Sequence, residues 1–273
     1  MSPARTGRES TPAGSAPAVV RAVAVLDVLA AHDGPSMSLS DLARAIEVPK
    51  SSTATICSAL EAGGLLTRTE TGFSLGRRLV ELGGAYLARV DRIEAFYAAC
   101  EADDVLRGET VRLWALGGTD VICLGRYDGH PPVRLTVNIG DAIPCSVSAA
   151  GKVALAEFDD DEIRERYPAR ARLPRLTDRS IPTLDALLAD IAATRARGYG
   201  LSEQEAFADV VELGRAVPSR GVHTAVLAVS VTQHAATYSP DLAPRLVGAL
   251  DAVAGALGNP MGPRSRARSD ETP

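Results

Sequence analysis

The sequence predicts a two-domain chain: a small all-α winged helix-turn-helix in front, a linker helix region, and an α+β domain with an antiparallel sheet behind. Three observations predict it. The front carries three segments of helical period, followed by two short β-runs around a glycine-containing turn. Further on, strand-like runs joined by hairpin signals are flanked by helical segments, the pattern of an α+β sheet domain. The chain has 273 residues, 46% hydrophobic and 23% charged, enough for two domains with cores that need neither disulfide nor metal.

Composition excludes several classes. No apolar run approaches the ~18–20 residues that cross a bilayer. No basic segment leads into an apolar stretch with a small-residue cleavage site, so a cytoplasmic protein without membrane contact is expected. The four cysteines, Cys57, Cys100, Cys123 and Cys145, form no C-x-x-C pair. His32, His130, His223 and His234 do not stand at finger-like spacing from them, so no metal is expected. The thiols read as small buried hydrophobes in a reducing compartment. Both common glycine-rich phosphate-loop patterns are missing, and no cofactor is expected. The net charge is −5, but the acidic excess lies behind residue 92. The front is close to neutral, so charge does not bar it from nucleic acid.

Residues 1–17 are Ser, Thr, Pro, Gly and Ala with little to bury, and read as a disordered tail, as do residues 259–273. Residues 18–76 form the front domain. Val19, Val20, Val23, Leu26, Val28 and Leu29 recur at helical spacing until Gly34-Pro35 stops them. A second helix starts after Ser38, with Asp41 in the capping-box position and Leu42, Ala45 and Ile46 as its apolar face. Pro49 opens a third, where a missing N–H costs nothing, and Gly63-Gly64 ends it. Residues 65–68 and 73–75 are the two arms of a hairpin.

Residues 77–107 read as two helices or one bent helix linking the domains. Leu79, Leu82, Tyr86 and Leu87 suit a pairing surface between copies. Residues 108–258 make the back domain. Strands are expected at 110–116, 121–127, 133–137 and 224–231, with a weaker one at 214–217. The first two flank Gly117-Gly118-Thr119-Asp120, the clearest hairpin signal. Helices are expected at 148–157, 160–166, 184–197 and 241–257.

A helix-turn-helix lays its second helix in the major groove, first residues over the base edges. Here those residues are Lys50, Ser51 and Ser52, then Ala54 and Thr55. Thr53, Ile56, Cys57 and Leu60 face inward by the same periodicity. Short hydroxyls beside free helix N–H groups suit a phosphate, and Lys50 adds charge. Arg44, on the preceding helix, and Arg68, on the wing, are further phosphate candidates. A protein-interaction module of the same shape fits the pattern as well.

The chain resembles the IclR family of bacterial transcriptional regulators from about Val20 to about Gly258. In front the resemblance rests on Arg21-Ala22-Val23, Ser40-x-Leu42-Ala43, Val48-Pro49-Lys50-Ser51-Ser52-Thr53, Leu60-Glu61-x-Gly63-Gly64-Leu65-Leu66 and Phe73-Ser74-Leu75-Gly76. Behind, it rests on Ser148-Ala149-Ala150-Gly151-Lys152-Val153-Ala154-Leu155-Ala156, Arg197-Gly198-Tyr199 and Ala228-Val229-Ser230-Val231. The resemblance implies a double-stranded DNA operator, a homodimer or homotetramer, and a GAF-like back domain binding a small-molecule effector. It implies no catalysis. Family members often carry His or Arg where this chain has Ala54 and Thr55, so no operator sequence carries over.

Motif for motif, the effector is expected against Ala149 and Ala150 at a helix N-terminus, a natural seat for a carboxylate. Ser148 both caps that helix and touches the ligand. Ser230 and Thr232 alternate along one strand and share a face, fit either to orient a ligand or to bond neighbours in the sheet. Ser202, in the loop 202–205, and Leu213 match ligand-contacting stretches of the family. Cys145, Ile143, Trp114 and Leu116 are candidate apolar walls, although a single tryptophan also suits a core. Lys152 invites a nucleophile's role, but no carboxylate pair, Ser/His/Asp order or metal cluster accompanies it. A salt bridge or a solvated head is the expectation.

Overall fold

The computed structural model describes residues 16–88, 92–129, 137–167, 172–218 and 226–258. The chain divides into two compact units, Met1–Arg89 and Val90–Pro273. The tails expected to be disordered lie outside the described residues, apart from Ala16 and Pro17.

The first unit runs α1 (Pro17–Ala30), α2 (Leu39–Ala45), α3 (Lys50–Ala62), β1 (Leu66–Thr69), β2 (Gly72–Leu75) and α4 (Arg78–Ala88). It is a winged helix-turn-helix. Its core gathers Val25, Leu29, Leu42, Cys57, Leu60, Leu66 and Phe73. The buried seam of α1 is not the one that the valines suggest. Val19, Val20 and Val23 are 63%, 40% and 52% exposed, while Val25 and Leu29 are buried. The valines belong to the first two turns, and the three-helix core takes its contacts from the second half of α1.

Ser38 caps α2, its Oγ accepting from the Asp41 N–H at 3.2 Å and donating to Asp41 Oδ2 at 2.7 Å. Pro49 stands one position before α3 as its N-cap, and Gly63 is the C-cap. The turn between α2 and α3 passes through Glu47 with φ of 55°, a left-handed conformation. The wing pairs β1 with β2, and Met37 adds an antiparallel bridge to Phe73. Gly72 makes this possible, because a Cβ there would stand 2.0 Å from the Met37 carbonyl oxygen.

The second unit holds α5 (Ile93–Ala102), β3 (Thr110–Gly117), β4 (Asp120–Asp128), β5 (Ala142–Pro144), α6 (Ala149–Ala156), α7 (Asp160–Arg166), α8 (Leu184–Arg197), β6 (Gly200–Glu203), β7 (Val210–Ala216), β8 (Leu227–His234) and α9 (Ala243–Gly258). Among the described residues six strands form one sheet in the order β5-β4-β3-β8-β7-β6, with every neighbouring pair antiparallel. Helices cover both faces. α6 packs on one face through β6, β7 and β8, backed by α8, while α5 and α9 pack on β4, β7 and β8. Period-2 alternation therefore sends Arg112 and Trp114 of β3 to one face and Val111 and Leu113 to the other.

Two strand expectations change, and a third falls almost wholly outside the described residues. The run 133–137 lies outside the described residues except for Val137, which is buried. The last strand, β8, runs from Leu227 through Ser230 and Thr232 to His234, past the expected end at 231, while residues 224 and 225 of the expected run lie outside the described residues. The weak run at 214–217 is the end of a longer strand, β7, whose first half contains Glu212. A carboxylate inside an apolar run hides a strand from a hydrophobicity pattern. β5 and β6, of three and four residues, carry too little pattern to be read. The linker region is split between the units. Val80 and Leu82 of α4 are 78% and 47% exposed, whereas Phe96 and Cys100 of α5 are fully buried. The side chains of Tyr86 and Leu87 lie outside the described set.

Candidate functional site

Lys50 and Ser51 open α3 and are exposed, Ser52 and Ala54 are half-buried, and Thr55 is exposed. Thr53, Cys57 and Leu60 turn into the core, as helical period requires. Thr53 donates to the Pro49 carbonyl at 3.1 Å and Thr55 to the Ser51 carbonyl at 3.2 Å. Among the described residues Lys50 makes no ion pair, so its charge is available at the helix N-terminus.

The two arginines assigned to the same surface are less free. Arg44 pairs with Asp41 at 2.7 Å, with its side chain 77% exposed. Arg68 is held more firmly: Nε and Nη2 grip the two Glu61 oxygens at 3.1 and 2.8 Å, and the guanidinium lies 4.5 Å from the Phe73 ring centre. The expected reach of Arg68 to a phosphate therefore competes with an internal carboxylate. The signal was in the sequence, since Glu61 sits in α3 and Arg68 in the strand that returns beside it.

In the second unit a cavity is lined by Arg112, Trp114, Val137, Ile143, Ser202, Ala206, Phe207, Val210, Glu212 and Thr232, with about 340 Å³ of empty space partly open to solvent. Three glycines let α6 pack closely, Gly200 and Gly214 on the sheet and Gly151 on the turn before the helix. A Cβ on Gly200 would stand 2.2 Å from the Ala149 carbonyl oxygen, one on Gly214 2.8 Å from the Ala149 carbonyl carbon, and one on Gly151 2.3 Å from Cys145 Cα. Ser148 caps α6, accepting from the Gly151 N–H at 3.3 Å.

The start of α6 is already occupied. Glu212 Oε2 accepts from the Ala149 N–H at 2.7 Å and from the Ser148 hydroxyl at 3.2 Å. A carboxylate does sit at this helix end, but it belongs to the protein. Ala149 and Ala150 are buried and lie outside the cavity lining. Leu213 is buried on the opposite sheet face, and its neighbour Glu212 lines the cavity instead, because alternation reverses the face at each residue. Ser202 lines the cavity and donates to the Val147 carbonyl at 2.7 Å. Thr232 also lines it and accepts from Arg112 Nη1 at 3.2 Å. Ser230 is not in the lining and accepts from Trp114 Nε1 at 2.8 Å. Trp114 and Ile143 are walls, while Cys145 and Leu116 belong to the surrounding core.

Sequence reasoning missed Arg112 and Glu212. Arg112 is 1% exposed, and burial lowers its pKa. In an alternating strand it reads as an outward polar residue, and only the helices over that face make it interior.

Lys152, on α6, is fully buried. Its Nζ stands 2.6 Å from Glu205 Oε1 and 2.9 Å from Asp190 Oδ2, and donates to the Leu201 carbonyl at 2.9 Å. Both carboxylates share one ammonium. Burial, helped by Asp190, raises the Glu205 pKa above the ordinary carboxylate value. This is an ion cluster bracing the loop after β6, as the salt-bridge expectation had it. All four cysteines are buried free thiols, with burial pushing Cys123 to about 11 and Cys100 to about 12. No helix among the described residues is long and apolar enough to cross a membrane.

A winged helix-turn-helix followed by an α+β sheet domain is the architecture of a class of DNA-binding regulators. Comparison with known proteins agrees. Residues 18–70 match the family described as IclR helix-turn-helix domain, and residues 85–259 match Bacterial transcriptional regulator IclR C-terminal. A relative from Cupriavidus necator, the probable transcriptional regulator SauR, is 32% identical over 219 residues, covering 78% of this chain and 85% of its own. A solved regulator from Rhodococcus sp. RHA1 is 28% identical with a TM-score of 0.70, covering 89% of this chain and 97% of its own. An IclR homologue from Microbacterium hydrocarbonoxydans, solved with 4-hydroxybenzoate, is 21% identical with a TM-score of 0.70, covering 88% and 98%. The chain belongs to the IclR family of transcriptional regulators, which are DNA-binding proteins and not enzymes.

Proposed function

We propose that this chain binds an operator in double-stranded DNA through the N-terminal half of α3, and that a small organic acid held in the cavity of the second unit changes that affinity. Lys50, Ser51, Ser52, Ala54 and Thr55 meet the groove, with Lys50 on a phosphate. Arg44 and Arg68 contribute where DNA displaces Asp41 and Glu61. Ser202 and Thr232 meet the effector directly, while Ser148, Ala149, Ala150 and Ser230 act from behind the lining through Glu212 and Trp114. The observation that carries the reading is a cavity with a buried cation and few polar groups on apolar walls, in a regulator of this family. The complex of a distant homologue with 4-hydroxybenzoate supports an organic acid.

One helix reads only a few base pairs, so two copies on a palindrome are the working form, as a homodimer or a pair of dimers. The exposed Val80 and Leu82 of α4 supply a pairing surface. The effector acts only by its differential affinity for conformations that bind DNA unequally. The test is selection of binding sites from genomic DNA by the purified chain, with and without a panel of organic acids. Enrichment of one palindromic site supports the reading, and enrichment of no site under any condition overturns it.

A further inference from the structure

Arg112 carries two donors with nothing to hold. Its Nη1 donates to Thr232, but Nε and Nη2 are buried without a hydrogen-bond partner, and among the described residues no carboxylate pairs with it. Those two atoms are not an arbitrary pair. They form one edge of the guanidinium, whose spacing matches the two oxygens of a carboxylate. On the wing of this chain the same edge of Arg68 holds both oxygens of Glu61. In Arg112 the edge is buried without a partner, in a side chain that lines the cavity and is 1% exposed. A buried charge with unfilled donors is costly, and a ligand that fills them offsets that cost.

Glu212 lines the same cavity. Its Oε2 is engaged by the start of α6, and its Oε1 makes no hydrogen bond among the described residues. A single arginine facing one carboxylate does not suit a dianion such as a phosphate monoester, which Glu212 would repel. It suits a monoanion that also brings a donor. Trp114, Ile143, Phe207 and Val210 leave an apolar middle.

We propose that the effector is a small carboxylic acid bearing a hydroxyl or ammonium group, its carboxylate on the Nε–Nη2 edge of Arg112 and its donor on Glu212. The proposal rests on reading this cavity as the effector site. The effector carboxylate thus sits on β3 and not on the helix N-terminus, which Glu212 fills. Arg112 gives the acid its affinity, and Glu212 selects among acids.

The test is calorimetric titration of the full chain with matched sets: mandelate, phenylglycine and their donor-free counterpart phenylacetate, 4-hydroxybenzoate and its counterpart benzoate, and the amides mandelamide and 4-hydroxybenzamide. A donor-bearing acid is expected to bind, its counterpart without the donor more weakly, and the amides not at all. Arg112→Met should weaken the bound acid roughly 30-fold or more. The melting temperature without ligand should not fall, because methionine fills the space and leaves no unpaired donors. That separates loss of a ligand contact from loss of fold. Glu212→Gln should narrow the gap between acids with and without the donor. Failure of every donor-bearing acid, an amide binding as well as its acid, or acid binding that survives Arg112→Met overturns the proposal. Operator binding without ligand, measured on the same preparations, is a separate readout. Its absence sinks the regulator reading and leaves the ligand class standing, while its presence with a wrong-class ligand does the reverse.

Discussion

Glu212 on β7 accepts a 2.7 Å hydrogen bond from the backbone N–H of Ala149, the first residue of α6. A side chain of the sheet thereby satisfies one of the orphan donors of a helix and places its charge at the positive end of the dipole. The contact exists because Gly200 and Gly214 let the helix backbone come within van der Waals distance of the strands. Helix position and cavity shape are therefore set together.

Glu212→Ala removes that charge-assisted contact and leaves the Ala149 N–H buried without an acceptor. The expected cost is about 2 kcal/mol. Denaturant unfolding of the full chain checks it, with Glu212→Gln expected to retain part of the loss because its amide oxygen still accepts. An unchanged midpoint in the alanine variant would show that α6 does not need this cap.

Gly200→Ala puts a methyl group 2.2 Å from the Ala149 carbonyl oxygen, which is backbone and cannot swing aside. Helix or strand must shift, at a cost of about 1–3 kcal/mol. The same change at Gly83, which meets nothing within 4 Å, should stabilise α4 by a few tenths to one kcal/mol. Thermal unfolding of the two variants should move in opposite directions.

The front domain was legible because its signals are local. Ser38, Pro49 and Gly63-Gly64 punctuate helices whose inward residues follow a 3.6 period, and Thr53, Cys57 and Leu60 needed nothing else to be placed. The sheet domain was legible in its hairpin, β3–β4, and in most of its helices. Its site was not. Arg112 alternates with Val111 and Leu113 as a surface residue does, and only a second helical layer, distant in sequence, buries it. Glu212 interrupts β7 for the same reason that it matters. The one-residue difference between Leu213 and Glu212 reverses the sheet face, and register comes from pairing that a single sequence does not display.

The loop after β6 should be sensitive to pH through Glu205. Burial raises its folded pKa above the ordinary value of 4.5, so the folded chain holds a proton that the unfolded chain releases. The contribution of this group is fully present below 4.5 and is lost as pH rises through the folded pKa. The stability of Glu205→Gln should therefore gain on that of the parent as pH climbs above 4.5 and level off once Glu205 is ionised. Parallel unfolding curves across that window would show that Lys152 holds Glu205 at its ordinary value.

The last prediction concerns the reading head, where two cations differ in their freedom. Lys50 has no ion pair among the described residues, so a phosphate contact costs it little. Arg68 is gripped through two hydrogen bonds by Glu61, so any DNA contact must first release that carboxylate. An exposed pair of this kind is weak, about 0–1 kcal/mol, yet it cancels the charge that a phosphate would see. Lys50→Ala should weaken operator binding and lower the slope of log affinity against log salt by about 1, one phosphate contact's worth. Arg68→Ala should change that slope less. Glu61→Gln should do the opposite of Lys50→Ala, freeing Arg68 and removing a nearby negative charge, so that affinity rises most at low salt. Salt titrations of the three variants on the selected operator give the answer. A larger slope change for Arg68→Ala than for Lys50→Ala would mean that Glu61 releases its arginine to DNA at little cost.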